Sequence, residues 1–241
     1  VNSEVLAMSG GLGTTSSANV GAYSLTDTSQ GTLILANGPS GANQGLASNY
    51  TLTGGTQDYT ITQRVLNSSG SKAYDANTNA LAADITLSNL VSGETLNHSG
   101  TASVSSANAG SYTITNLAGI TLADNAGLAS NYTLTGGTHN FTVNPKVISL
   151  SGSRLYDATT DAVASDLTTI SGLVGSETLN LSGTGSVTNA NVASNKTVTL
   201  GTLALADNSG LAANYTLSGG THQLTINQRP LAATIARQYD G

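Results

Sequence analysis

A tyrosine followed by an aspartate recurs three times in this chain and is the first candidate for chemistry. The pairs are Tyr74-Asp75, Tyr156-Asp157 and Tyr239-Asp240. A phenol beside a carboxylate could bind a ligand, but a binding site needs a second cluster of partners, and no such cluster recurs with the pair. We therefore interpret the tyrosine as part of a small core and the aspartate as a side-chain cap of a turn.

A second candidate is an acidic turn that could bind calcium. Asp124-Asn125 and Asp207-Asn208 each stand shortly before a Gly-Leu pair. Calcium takes several oxygen ligands at close spacing, and one aspartate with one asparagine per copy is too few. Neither an EF-hand loop nor a Gly-Gly-x-Gly-x-Asp repeat is present. We expect a turn here, and weak calcium binding through Asp124 and Asp207 remains the alternative.

The histidines and glutamates do not form a catalytic pattern. His139 and His222 stand at equivalent positions, but Gln57 takes that place in the first copy, which indicates a strand side chain. Glu94 and Glu177 recur singly, so the sequence has neither paired carboxylates nor a recurring Ser-His-Asp arrangement. We expect no enzyme activity, no metal centre beyond the weak calcium candidates, and no cofactor.

The charged residues exclude further classes of function. The chain has seven lysines and arginines, 13 acidic residues and a net charge of −6. Nucleic acid binding needs clustered cations, and these seven are dispersed. Lys72 aligns with Arg154 and Arg237, so a lysine–asparagine crosslink shared by all copies is not expected. No stretch reaches the ~20 apolar residues of a membrane helix, so we expect no membrane insertion.

These candidate residues belong to an internal repeat. The Tyr-Asp pair recurs from residue 74 to 156 and from 156 to 239, which are intervals of 82 and 83 residues. A second motif, Asn-Tyr-Thr-Leu, keeps the same intervals and begins at Asn49-Tyr50, Asn131-Tyr132 and Asn214-Tyr215. Self-similarity at a fixed period is the signature of a repeat protein, in which each copy contacts its neighbours.

The period divides the chain into copies. We predict a partial first copy at 1–63 with a loop insertion near 31–44, a full second copy at 64–146, a full third copy at 147–229, and the first strand of another at 230–241. The joints are only a few residues long, and Pro145 and Pro230 fix φ within them. We therefore expect neighbouring repeats to be the main partners of each copy, in an elongated rod.

Local sequence patterns predict strands throughout. His139, Phe141 and Val143 alternate with polar residues, which is typical of a half-buried strand. Tyr59 and Ile61 alternate in the same way in the first copy, and Leu224 and Ile226 in the third. The other strand candidates, which include the separate segments 95–98 and 102–105, are short and are separated by Gly, Asn and Ser. We predict an all-β fold of tandem small β-sandwich or β-grasp-like domains, and leave the choice between these topologies open. Short helical turns are expected at most near 75–83 and 127–131.

The order of the motifs resembles a known family. The Tyr-Asp-Ala/Gly element, the segments 172–179 and 18–23, the Asn-Tyr-Thr-Leu motif and a closing Leu-Thr-Ile-Asn resemble the YDG and MBG ("mostly β-grasp") repeats of filamentous-haemagglutinin-like adhesins. Those adhesins are large exoproteins of Gram-negative bacteria, typically exported by two-partner secretion. The resemblance implies a β-rich fold, a location on the bacterial cell surface or in the biofilm matrix, and a stalk that projects an adhesive domain.

The chain departs from this family at two positions. Ala76 and Ala158 stand where the glycine of the Tyr-Asp-Gly motif would be. Because alanine avoids left-handed φ, we expect an ordinary backbone conformation at both sites.

Three functions fit the sequence. The first is a structural stalk or spacer of a secreted, extracellular adhesin that mediates cell adhesion or biofilm formation. The second is a repeat that binds an exopolysaccharide, with avidity along the array, because Asn, Thr, Ser and Tyr on sheet faces suit carbohydrate contact. The third is a subunit of a filament in which the edge strands of like chains pair.

Overall fold

The computed structural model describes residues 3–10, 13–25, 31–55 and 57–241, and these residues form short β-strands and 3₁₀ turns. No α-helix occurs within these ranges, and none of their helical segments could cross a membrane. The composition explains this, because Thr, Val, Ile and Tyr favour strands while Glu, Lys and Arg are scarce. The all-β prediction is confirmed.

The strands are numbered in chain order. The first copy contains β1 (Leu6–Ser9), β2 (Gly21–Leu25), β3 (Ile34–Asn37) and β4 (Gln57–Ile61). The second contains β5 (Arg64–Val65), β6 (Asn67–Ala73), β7 (Asn79–Leu81), β8 (Ile85–Ser88), β9 (Asn97–Val104), β10 (Gly110–Asn116), β11 (Ile120–Ala123), β12 (Tyr132–Thr133) and β13 (His139–Asn144). The third contains β14 (Lys146–Val147), β15 (Ser149–Leu155), β16 (Asp161–Val163), β17 (Thr169–Ser171), β18 (Asn180–Ser182), β19 (Thr184–Ser186), β20 (Ala193–Thr197), β21 (Ala204–Ala206), β22 (Tyr215–Thr216) and β23 (His222–Asn227).

The 3₁₀ turns recur with the repeat. They are Ala47–Asn49, Ala82–Asp84, Ala129–Asn131, Ala164–Asp166 and Ala212–Asn214. Three of them lead directly into the tyrosine of an Asn-Tyr-Thr-Leu motif. The short helical turns expected near 75–83 and 127–131 correspond to the 3₁₀ turns Ala82–Asp84 and Ala129–Asn131.

The chain forms two compact units, and each draws on more than one copy. The first unit comprises Val1–Asn67, Leu87–His98 and Leu122–Gly137; the second comprises Ser68–Thr86, Ser99–Thr121 and Thr138–Gly241. Parts of the second copy therefore belong to the same unit as the first copy, and other parts to the same unit as the third. The copy boundaries at 64, 147 and 230 stay predictions of the sequence period.

Among the described residues of the first unit, strands pair in both orientations. β2 pairs with β4 from Gly21↔Ile61 to Leu25↔Gln57, and β5 pairs in parallel with β12. β1 pairs with β3, so the insertion predicted near 31–44 supplies a strand. A turn follows this strand, in which the Gly38 N–H donates to Gly45 O at 3.0 Å.

In the second unit, the first and last long strands of each full copy are parallel neighbours. β6 pairs with β13 from Ser68↔His139 to Ala73↔Asn144, and β15 pairs with β23 in the equivalent register. β10 and β20 cover the other edges of β13 and β23 in antiparallel orientation. A purely antiparallel sandwich has no such parallel pair, so the sheets favour the β-grasp-like alternative.

The alternation predicted for the last strand of each copy buries one face in two copies of the three. Phe141 of β13 is 1% exposed and Leu224 of β23 is 0% exposed, whereas the equivalent Tyr59 of β4 is 47% exposed. The prediction of a half-buried strand is wrong for β4. The reason is that β13 and β23 each lie between two strands, while β2 is the only strand partner of β4 among the described residues.

Two predicted strands are one strand in the second copy. Segments 95–98 and 102–105 were expected to be separate, but β9 continues through Gly100. Gly100 has φ 101°, and a Cβ atom there would lie 1.9 Å from Gly119 O, so only glycine permits this close approach. In the third copy, Gly183 at φ 89° separates β18 from β19.

Candidate functional site at the joint between copies

A glutamate–tyrosine pair forms inside every copy. The tyrosine comes from the Asn-Tyr-Thr-Leu motif, and its hydroxyl donates a hydrogen bond to Oε2 of a glutamate that lies 46 residues earlier in the first copy and 38 residues earlier in the other two. The pairs are Glu4–Tyr50, Glu94–Tyr132 and Glu177–Tyr215, and the last has an O···O distance of 2.7 Å. The 3₁₀ turn before the tyrosine positions the ring in each copy.

The phenolic oxygen of this pair also accepts a hydrogen bond. Val91 N–H donates to Tyr132 Oη at 3.1 Å, and Val174 N–H donates to Tyr215 Oη at 3.0 Å. Burial and the carboxylate partner both raise the pKa of Tyr132 and of Tyr215. Each hydroxyl therefore stays protonated. It donates a hydrogen bond to the glutamate and accepts one from the valine N–H.

A glycine makes room for the carboxylate. A Cβ atom at Gly127 would lie 2.5 Å from Glu94 Oε2, and one at Gly210 would lie 2.7 Å from Glu177 Oε2. The Gly210 N–H donates to Thr178 O at 3.0 Å, which ties the glycine to the residue after the glutamate. The glycine of each Gly-Leu pair thus packs closely against the glutamate carboxylate.

Tyr74 connects the second copy to the third within the second unit. Its hydroxyl donates to Glu177 Oε1 at 2.7 Å, and its ring meets the Tyr215 ring edge-on, with centroids 5.4 Å apart at 77°. Both tyrosines are 5% exposed. One carboxylate therefore receives two phenols, one from each copy, and the two rings add an edge-to-face contact.

The surroundings of Tyr74 hold its phenol neutral. Burial, followed by the hydrogen bond to Glu177, raises the pKa of Tyr74 to about 12. A hydrogen bond from a neutral donor to a carboxylate in a partly buried position is charge-assisted and stronger than one between neutral groups. We call Tyr74, Glu177 and Tyr215 the joint cluster.

An asparagine makes a second contact between the same two copies. Asn214 is 1% exposed, its Oδ1 accepts a hydrogen bond from Ala109 N–H at 2.8 Å, and its Nδ2 donates to Asn108 Oδ1 at 3.0 Å. A buried amide needs such partners, since an unpaired one is costly. Asn214 therefore contributes to binding the third copy to the second.

The asparagine contact recurs in the first unit. Asn131 Oδ1 accepts from Val20 N–H at 2.8 Å, and Asn131 Nδ2 donates to Asn19 Oδ1 at 2.9 Å. These bonds join the second copy to the first in the same way. The asparagine of the motif thus links consecutive copies at two places along the chain.

Asp75 and Asp157 cap the turns that follow the tyrosines. Asp75 Oδ1 accepts from Asn77 N–H at 3.1 Å and lies 2.8 Å from Lys72 Nζ. Asp157 Oδ1 accepts from Thr159 N–H at 3.0 Å and pairs with Arg154. Burial opposes the charge of Asp75, but Lys72 and the Asn77 N–H together hold its pKa below the usual value.

The alanine inside each of these turns adopts the left-handed backbone conformation. Ala76 has φ 62° and Ala158 has φ 65°, so the expectation of an ordinary backbone is wrong. The hydrogen bond from the aspartate to the N–H two residues on closes the turn around the alanine and holds it in this conformation. An L-residue pays roughly 1–2 kcal/mol for left-handed φ, which explains why the family motif has glycine.

Lys72 lies within reach of an asparagine as well as an acid. Its Nζ is 2.8 Å from Asn77 Oδ1 and 2.8 Å from Asp75 Oδ1. A lysine–asparagine crosslink needs a neutral amine and a protonated acid. The lowered pKa of Asp75 keeps the carboxyl ionised, so the arrangement has the charges of an ion pair.

The carboxylates of the two calcium candidates accept hydrogen bonds from backbone N–H groups. Asp124 Oδ1 accepts from Ala129 N–H at 2.7 Å, and Asp207 Oδ1 accepts from Ala212 N–H at 2.6 Å. Each carboxylate thus fixes the start of a 3₁₀ turn, which ends at Asn131 or Asn214. No cluster of three or more His, Cys, Asp or Glu occurs in the described ranges. Calcium binding stays a prediction.

The exchange of histidine for glutamine has a structural reason. His222 Nε2 lies 2.8 Å from Leu217 O, and Gln57 Nε2 donates to Leu52 O at 2.9 Å. Both side chains form a hydrogen bond with the carbonyl oxygen of the leucine in the Asn-Tyr-Thr-Leu motif. His139 in the second copy lies with Nδ1 2.9 Å from Ser68 Oγ.

The remaining repeat markers lie outside any joint cluster. Tyr156 is 38% exposed and Tyr239 is 92% exposed, and Asp240 pairs with Arg237 at 2.5 Å. Asn49 ends the first 3₁₀ turn, and its neighbour Tyr50 binds Glu4. The structure therefore brings only Tyr74, of the three Tyr-Asp tyrosines, to a glutamate–tyrosine pair among the described residues.

Sequence reasoning did not assign the glutamates. Because Glu94 and Glu177 recur singly, the pattern predicts no role for them, yet Glu177 is the centre of the joint cluster. The available signal was their recurrence at one position of the repeat in a chain with only 13 acidic residues.

Comparison with known proteins supports the repeat. The family model for the YDG domain matches residues 56–140 and again residues 138–223. No curated protein and no solved structure matches the chain significantly. The two matched segments each contain one Tyr-Asp pair and one Asn-Tyr-Thr-Leu motif.

Proposed function

Because the chain belongs to the YDG-domain family, we propose that it is a structural stalk or spacer of a large secreted adhesin. The observation that carries the proposal is the joint cluster, in which Tyr74 of one copy binds Glu177 and Tyr215 of the next. The residues that recur with the sequence period are used to attach copies to one another. A repeat whose recurring residues bind its neighbours is suited to building length.

The joint favours a defined relation between two consecutive copies over a flexible linker. Tyr74, Tyr215 and Asn214 are all 5% exposed or less, and their polar groups are hydrogen-bonded. Opening the joint removes Tyr74 from Glu177 Oε1, separates the Asn214 amide from Asn108 and Ala109, and exposes the rings of Tyr74 and Tyr215. Such a joint resists opening, which is the property a spacer under mechanical load needs.

The biological setting is part of the same proposal. An extracellular location, attachment to the surface of a Gram-negative bacterium, a role in cell adhesion or biofilm formation, and export by two-partner secretion all rest on the resemblance to filamentous-haemagglutinin-like adhesins. A chain with no cysteines suits this export route, because no disulfide forms before translocation.

The test separates a spacer from a binding module. A reporter ligand-binding domain is displayed on a bacterial surface beyond one or two lengths of this chain, and capture of an immobilised partner is measured. We expect capture to increase with the number of lengths and to depend on the reporter domain alone. The competing function is exopolysaccharide binding. Retention of the isolated chain on a polysaccharide array would favour that function and refute an inert spacer.

A further inference from the structure

The first and last long strands of each full copy are parallel neighbours over most of their length. In the second copy, β6 and β13 pair from Ser68↔His139 to Ala73↔Asn144. In the third copy, β15 and β23 pair from Leu150↔His222 to Leu155↔Asn227. We call each of these strand pairs a clamp. Both clamps lie within the second compact unit, and each has six register pairs.

Backbone hydrogen bonds close both ends of each clamp. In the third copy, the Leu150 N–H donates to Thr221 O at 3.3 Å and the Tyr156 N–H donates to Asn227 O at 2.9 Å. The bonds between these ends follow from the parallel register, in which they are evenly spaced. The second copy has the same closing bonds, which are Ser68 N–H to Thr138 O at 3.0 Å and Tyr74 N–H to Asn144 O at 2.8 Å.

The clamp of the third copy covers a fully buried core. Leu150 and Ile226 are each 1% exposed, and Leu224 is 0% exposed. His222 at the start of β23 is 6% exposed, and its Nδ1 accepts a hydrogen bond from the Leu150 N–H at 3.3 Å. A hydrogen bond that breaks in such a place leaves its donor and acceptor unpaired. The clamp bonds therefore resist being broken one at a time.

The polarity of the clamp strands decides how tension acts on them. The chain enters the third copy before β15 and leaves it after β23. Tension along the chain therefore pulls β15 towards its first residue and β23 towards its last. In a parallel pair these two directions are opposite and lie along the strands, so the hydrogen bonds between the strands are sheared together. An antiparallel pair would have both attachments at one end, and its bonds would open in succession.

The two clamps follow one another closely along the chain. β13 ends at Asn144 and β14 begins at Lys146, so only Pro145 stands between these strands, and β15 begins at Ser149. Proline fixes φ, which limits the slack in this segment. Tension therefore passes almost directly from the second-copy clamp to the third-copy clamp, and the strands between β15 and β23 lie outside its path.

We propose that the two clamps give this chain a force-bearing function, in which tension applied along it is carried by β6 with β13 and by β15 with β23. The joint cluster meets the first of these clamps at Tyr74, whose N–H closes the clamp and whose hydroxyl binds Glu177 of the third copy. Resistance to tension goes beyond the spacer function and does not rest on it, because a spacer sets a distance whether or not it withstands force.

Single-molecule force spectroscopy on the intact chain, pulled in two directions, tests the proposal. The chain has no cysteine, so introduced cysteines supply the only attachment points. Val147→Cys with Gln228→Cys loads the third-copy clamp in shear, whereas Leu155→Cys with Gln228→Cys places both attachments at one end of it. All three residues are exposed. We expect the shear pair to rupture at a force at least about twice that of the second pair, because six register pairs are loaded together.

The direction of the backbone groups supplies a matched pair of variants. Leu150 directs its N–H at β23, so the adjacent Ser151 directs its own at β17, where it lies opposite Thr169. Gln223 is the register partner of Ser151 and stands two residues after Thr221, whose carbonyl accepts from β15, so the Gln223 N–H lies on the clamp side of β23. Gln223→Pro therefore removes a clamp donor, and Ser151→Pro removes a donor outside the clamp.

These two prolines are compared in the shear geometry. We expect Gln223→Pro to lower the rupture force about 1.5-fold or more and Ser151→Pro to lower it far less, although each removes one N–H of the sheet. Forced unfolding follows the barrier to unfolding and not the equilibrium stability, so the rupture force is the informative readout. Circular dichroism checks that both variants fold.

Equal rupture forces in the two pulling directions, or equal effects of the two prolines, overturn the proposal. If a proline prevents folding, the comparison of the two directions decides the question by itself. Loss of the force-bearing function would leave the spacer function standing, because capture at a distance needs reach and not strength. Retention on a polysaccharide would refute the inert spacer and leave the clamps unaffected.

Discussion

The hydroxyl of Tyr74 lies 2.7 Å from Oε1 of Glu177, across the joint between two consecutive YDG copies and 103 residues apart in the chain. The same carboxylate binds Tyr215 through its other oxygen. A local hydrogen bond within the third copy and a contact between copies therefore share one side chain. This sharing makes the fold of one copy and its attachment to the preceding copy interdependent.

Tyr74→Phe tests the joint directly. The substitution keeps the ring contact with Tyr215 but removes the hydroxyl, so Glu177 Oε1 loses its partner in a half-buried position. We expect the free energy of unfolding to fall by about 1–3 kcal/mol, measured by urea denaturation. Tyr156→Phe is the matched control, because Tyr156 is 38% exposed, and it should cost less than about 0.5 kcal/mol. Equal losses in the two variants would refute the joint cluster.

Glycine at the left-handed alanines should stabilise the chain. Ala76→Gly removes the strain of φ 62° but increases the entropy of the unfolded chain, which leaves a net gain of about 0.5–1 kcal/mol. Ala158→Gly should behave in the same way. Ala126→Gly is the control, because Ala126 is exposed and is not among the positive-φ residues, and it should destabilise. Thermal unfolding of the three variants measures the differences, and a loss of stability at Ala76 would contradict the turn geometry.

Gly210→Ala should disturb the joint from a distance. The new methyl group would lie 2.7 Å from Glu177 Oε2, so the carboxylate that binds both tyrosines must shift to relieve the contact. We expect a loss of roughly 1–3 kcal/mol in the free energy of unfolding.

A double-mutant cycle identifies the cause of that loss. If the alanine acts by displacing Glu177, then adding Tyr74→Phe to Gly210→Ala should cost much less than Tyr74→Phe costs alone. Additive losses would show that the alanine acts elsewhere.

Alkaline pH should weaken the joint. The folded pKa of Tyr74, about 12, lies above the ordinary value of 10.0. Its contribution to stability is therefore complete below pH 10 and is lost as the pH rises from 10 towards 12, because the unfolded chain releases the proton first. The loss attributable to Tyr74 is at most about 3 kcal/mol.

Urea midpoints measured across this range test the effect. Tyr132 and Tyr215 also have raised pKa values and add to the fall, so the informative comparison is with Tyr74→Phe, which should lose less stability above pH 10. The same pH dependence in both proteins would show that Tyr74 does not titrate in the joint.

The sequence by itself determined the period, the all-β class and the family. The repeat is visible from the equal spacing of its motifs, and the strands from the alternation of adjacent residues. Both patterns can be recognised without knowing which residues are in contact in the folded chain. The exchange of Gln57 for His139 and His222 also predicted a strand side chain, and the hydrogen bonds of Gln57 and His222 to the two leucine carbonyls show why it is tolerated.

Only the tertiary structure decided the role of the glutamates, the backbone of the alanines and the edge of β4. Glu177 acquires its role from Tyr74, which lies 103 residues before it. The residues next to Glu177 in the sequence do not indicate this long-range contact. Ala76 is left-handed because a side-chain hydrogen bond closes the turn, which overrides the intrinsic preference of alanine. Tyr59 is exposed although its alternation predicts burial, because burial depends on a neighbouring strand and not on the pattern within β4.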